Sequence, residues 1–109
     1  MPLTQAELSA ARARLEAARA KWTMADPDRS PLPPPTEDHV RHCAIIERVD
    51  AEDYEGLSTA DLEWALVDTV KTEFELSNDP AARQDRQLVV HLKFRRLSLA
   101  EELVRRQHR

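Results

Sequence analysis

Apolar positions recur along the chain in four separate helical patterns. In the first, over 5–25, Leu8, Ala11, Leu15, Ala18, Trp22 and Ala25 follow one another at steps of three and four. Such a seam, with large residues alternating with alanine, suits close packing against a partner helix, in the simpler reading on the rest of its own chain and in the other on a second copy of itself. Thr4 and Glu7 form a capping box inside a Leu3–Leu8 staple, so the helix starts at about Gln5. Asp26-Pro27 ends it, because the residue before a proline is pushed out of helical geometry.

The second pattern covers 37–51, with Thr36 as N-cap and Val40, Cys43, Ile46 and Val49 on one face, widened by Ala44 and Ile45. The third covers 59–76. Ser58 and Asp61 repeat the capping signal, Leu57 and Leu62 form the staple, and Leu62, Leu66, Val70 and Phe74 make a stripe with Trp64 and Val67 alongside. Apolar residues on more than one side predict that this helix is central. The fourth is read over 80–107, with Asp79 as cap and Pro80 at the first helical position.

Two readings compete over 88–94. Leu88, Val90, Leu92 and Phe94 alternate with polar residues like a strand, whereas Leu88, Leu92, Leu99 and Leu103 fall at helical spacing. A lone strand would leave its backbone groups without partners, and nothing else in the chain reads as one. One long helix is therefore expected, the exception being a ribbon made with a second subunit. Between the first two helices lies DPDRSPLPPP, residues 26–35, which holds five of the seven prolines. This stretch favours polyproline II and can reach about 31 Å, roughly the length of helix one, so it can retrace that helix or hand it to a neighbouring subunit. The expected architecture is all-α: four helices (5–25, 37–51, 59–76, 80–107), with helix one set apart by the linker from a core over 36–109, and a possible helix-mediated dimer.

Composition narrows the function classes. The 109 residues include one glycine, Gly56, which excludes a P-loop or a dinucleotide fingerprint and argues against tight β-hairpins. The single cysteine, Cys43, forbids an internal disulfide and fits a reducing, cytoplasmic setting. No apolar run approaches the ~20 residues of a membrane span, so no membrane role is expected. Arginine outnumbers lysine 13 to 3, a bias that suits a GC-rich bacterial or phage genome.

The net charge of −4 conceals a polarised chain, with +2 over residues 1–25, −11 over 26–79 and +5 over 80–109. The acidic centre and basic end can neutralise one another within the bundle. Alternatively the arginines of the last helix, above all Arg95, Arg96, Arg105 and Arg106, contact phosphates, although they scatter around the helix and no aromatic set accompanies them. His39, His42 and Cys43 are the only grouping with chemical content; His39 and Cys43 share a helical face, but a closed metal site needs further ligands. No carboxylate pair has catalytic spacing, and neither an enzyme nor a cofactor is expected. The expected function is a small interaction protein of adaptor, regulator or inhibitor type, binding protein partners that include itself through Leu8, Leu15 and Trp22. The alternative is a small nucleic-acid-binding regulator.

Overall fold

Helix starts follow the capping side chains. In the computed structural model, which describes residues 2–28 and 30–109, α1 spans Gln5–Ala25, α2 Glu37–Asp50, α3 Thr59–Ser77 and α4 Arg86–Gln107. The chain is all-helical, and no strand occurs among the described residues. Thr4 Oγ1 accepts from Glu7 N at 3.1 Å while Glu7 returns a bond to Thr4 N. Ser58 and Asp61 do the same at α3, and Thr36 caps α2 through His39 N. Each cap satisfies a backbone N–H that the first turn leaves without a partner.

The last helix starts six residues later than the sequence pattern predicts. Asp79 accepts from Ala81 N and Ala82 N, but this supports only a turn and the 3-10 segment Ala82–Gln84. The backbone leaves helical geometry at Asp85 (φ −80°, ψ 86°), whose side chain then accepts from Leu88 N and starts α4. Two successive aspartate caps thus divide the reversal that brings α4 back along α3. The residues over 88–94 are helical, as backbone satisfaction requires. At the end of α2 the chain turns through Glu52 (φ 56°), with Asp53 N bonding back to Arg48 O, a left-handed helix stop.

Two apolar clusters hold the bundle. Ile45, Val49, Leu57, Leu62, Ala65 and Leu99 form the main core, where α2, α3 and α4 converge. Ala11, Val40 and Ala44 form a second, smaller cluster between α1 and α2, flanked by Leu3, Leu8, Leu15 and Cys43. Helix α3 packs most extensively on α4, and α1 on α2. The α3–α4 pair is antiparallel, setting Arg106 beside Leu57 and Arg96 beside Glu73.

Helix α3 does touch both α2 and α4, but its second apolar side is not buried. Leu62, Ala65 and Thr69 face inward, whereas Val67, Val70 and Phe74 are exposed. Nor does the linker hold α1 away from the core. It returns along its own helix, where Arg19 Nε donates to Leu32 O at 2.7 Å and Trp22 Nε1 to Ser30 O at 3.4 Å. Ion pairs Arg12–Glu37, Arg14–Glu47 and Arg48–Glu7 complete the α1–α2 contact.

Candidate interaction surface

Four arginines of α4 are tied up in contacts within the chain. Arg95 grips Asp50 of α2 with both arms, Nε to Oδ1 at 2.7 Å and Nη2 to Oδ2 at 3.0 Å, the bidentate geometry that makes such pairs strong. Arg96 Nε meets Glu73 of α3 at 2.7 Å. Arg106 donates to the carbonyls of Leu57 and Tyr54 at 2.8 and 3.0 Å, so it fastens the 51–57 loop to α4. Its Nε, together with Arg105 and Arg109, also surrounds the buried carboxylate of Glu102. Arg48 pins the same loop from the other side through Glu55 O. All four arginines singled out as phosphate contacts are therefore ion-paired, and two of them, Arg95 and Arg106, have most of the side chain buried.

The seam of α1 faces its own chain. Ala11 is fully buried against Val40 and Ala44, and Leu8 and Leu15 are half-buried beside it. Trp22, beyond the end of that contact, is 40% exposed and lies against the linker. Of the three residues proposed as an intermolecular contact, two thus pack on α2, and Trp22 is the most exposed of them.

The unburied apolar surface lies elsewhere. At 100° per residue, Leu92 and Leu99 point one way from α4, and Val90, Leu97 and Val104 point to the other side, with Phe94 at its edge. All four of these outer residues are exposed, as are Val67, Val70 and Phe74 on α3. Helix α2 covers the opposite side of the pair. It reaches α3 where His42 stacks on Trp64 (ring centroids 3.9 Å apart) and α4 at the Asp50–Arg95 pair. The Glu73–Arg96 pair fixes the antiparallel register and brings Val70 near the level of Leu97. The face of the hairpin turned away from α2 is therefore an apolar band built by Val67, Val70 and Phe74 of α3 and Val90, Leu97 and Val104 of α4, whereas Phe94 lines a hollow with Val49, Asp50 and Glu52 at the end of α2. Its sequence signal is the 90, 97, 104 spacing, hidden behind the stronger pattern of the inner leucines.

The histidine–cysteine grouping lines an open hollow of about 420 Å³ with Glu47, Trp64 and Asp68. Burial raises the Cys43 thiol pKa, Glu47 and Asp68 add to the shift, and Arg14 opposes it, so this is not an activated nucleophile. No group of three or more His, Cys, Asp or Glu side chains is arranged to hold a metal ion among the described residues, and none of their helices is long and apolar enough to cross a membrane. Comparison with known proteins adds no relative: no family model matches the chain, and neither does any curated protein or solved structure.

Proposed function

We propose that this chain is a small, non-catalytic interaction protein that docks through the outer face of its α3–α4 hairpin. The observation that carries the reading is the apolar band itself. Six large apolar side chains are exposed along it, Val67, Val70 and Phe74 from α3 and Val90, Leu97 and Val104 from α4. Contiguous apolar surface of this kind, bordered by charge, marks protein contact sites far more often than it decorates an inert monomer. The reading keeps helix packing as the mode of binding and moves its location from α1 to α3–α4.

The ion pairs of Arg95, Arg96, Arg105 and Arg106 weigh against a phosphate-binding role, since each would have to exchange an internal partner for a nucleic acid. Two measurements test the reading together. Anisotropy of labelled duplex and single-stranded DNA, titrated with protein at low and moderate salt, should show no salt-dependent binding. A Phe74→Glu/Leu97→Glu variant should keep its helical circular dichroism and lose association with any protein partner. Tight, salt-sensitive DNA binding that survives this double substitution and disappears when the four arginines become glutamine, in a variant that retains its helical circular dichroism, would overturn it.

A further inference from the structure

The proposed docking face has a symmetry that points to its occupant. Along the outer side of α4 the residues read Val90, Lys93, Leu97, Glu101, Val104, at steps of three, four, four and three. The spacing is the same in both directions, and the chemistry is complementary under reversal. If α4 is laid antiparallel on a copy of itself about Leu97, Val90 meets the partner's Val104 and Lys93 meets the partner's Glu101, whose carboxylate also pairs with Arg105 on its own helix. A two-fold interface requires this self-complementarity: if residue i contacts residue j, then j contacts i.

Size gives an independent argument. The accessible surface is 7826 Å², whereas a monomer of this mass is expected to expose ~6,200 Å², leaving about 1,600 Å² in excess. A standard interface takes about 800 Å² from each partner, and an obligate homodimer takes roughly 1,000–2,500 Å². The radius of gyration tells the same story: 15.7 Å, with extents of 53 × 37 × 18 Å, against about 13 Å for a closed domain of this length. The chain is as flat and as exposed as one half of a larger assembly.

We infer that the occupant of the α3–α4 face is a second copy of the chain, with the two α4 helices antiparallel across a two-fold axis at Leu97 and Val67, Val70 and Phe74 of each α3 flanking the contact. This deepens the proposed interaction role and rests on it. The test uses light scattering coupled to size exclusion on the full-length protein, with Lys93→Glu, Glu101→Lys and the two combined. Wild type is expected to be a dimer. Either single reversal sets like charges together twice and should weaken dimerisation at least roughly tenfold, and the combined swap should restore it. Both residues are exposed on α4, so the monomer fold should survive in all three, as circular dichroism would verify.

As a second readout, Leu97→Cys in a Cys43→Ser background should form a disulfide-linked dimer under mild oxidation, because only a residue near the axis lies beside its own copy. A wild-type monomer at every accessible concentration would overturn the inference and leave an unrelated protein as the occupant, with the interaction reading intact. A dimer indifferent to the charge reversals, with no Leu97→Cys cross-link, would place the contact on another face and overturn it too. A dimer weakened by the single reversals but not restored by the combined swap would overturn the antiparallel register about Leu97.

Discussion

Helices α1 and α4 are nearly equal in length, 21 and 22 residues, and use their apolar positions in opposite ways. Helix α1 presents one narrow seam, and its own α2 covers it from Leu8 to Leu15. Helix α4 carries two stripes. The inner one mixes Leu92 and Leu99 with Glu102 and the half-buried Arg95, Arg96 and Arg106; the outer one is largely Val90, Leu97 and Val104. The more charged side of α4 is thus the one turned into the fold. A heptad seam says that a helix will pack, and leaves open whether the partner is its own chain or another. A count of arginines likewise says nothing about how many are free to meet an anion.

The contrast between the faces of α4 should appear first in stability. Leu99 is fully buried in the main core, so Leu99→Ala should cost about 3–5 kcal/mol in denaturant unfolding. Leu97→Ala, two residues away on the outer side, should change the unfolding of the monomer by less than ~1 kcal/mol. Equal losses would mean that the outer stripe is part of the core. Next in size, Arg106→Ala should cost about 2–4 kcal/mol, because it removes a partner of buried Glu102 and the side-chain donors of the Leu57 and Tyr54 carbonyls, of which Tyr54 O keeps its bond from Leu57 N. Arg105, more than half exposed beside Glu101, should cost only a few tenths when changed to Gln.

For α1, Ala11→Leu places a larger side chain where none fits and should cost about 1–3 kcal/mol. That loss should be local. Hydrogen exchange should speed up over residues 5–25 and stay unchanged in α3 and α4, whereas a uniform increase would mean that α1 is integral to the main core. The smallest effect concerns Cys43. Its raised thiol pKa means that the folded state favours the neutral form. The resulting stabilisation is complete below the unfolded-state pKa and is lost as pH rises through the folded one. Iodoacetamide should therefore label native protein more slowly than unfolded protein near neutral pH, and Cys43→Ala should lose less stability than wild type in the alkaline range.

Three of the four helix starts are legible in the sequence, because Thr4, Thr36 and Ser58 are caps with their partners at fixed spacing. The start of α4 is not, since Asp79-Pro80 and Asp85 both carry start signals and only the geometry of the α3–α4 reversal decides between them. The candidate surface is harder still. The strand-like alternation of Leu88, Val90, Leu92 and Phe94 was its trace: two residues along a helix is a turn of 200°, so alternate apolar residues land on opposite faces. Read as one amphipathic stripe plus noise, that pattern hides the outer face. Partners for the arginines were illegible for a different reason, since Asp50–Arg95 and Leu57–Arg106 join positions more than forty residues apart.

The most direct test sets one helix against the other: the solution mass of Leu97→Glu and of Leu15→Glu, measured by light scattering at matched concentration. If α4 carries the contact and α1 packs on its own chain, Leu97→Glu will be a folded monomer and Leu15→Glu will remain a dimer. A monomeric Leu15→Glu beside a dimeric Leu97→Glu would return the contact to α1 and contradict the account.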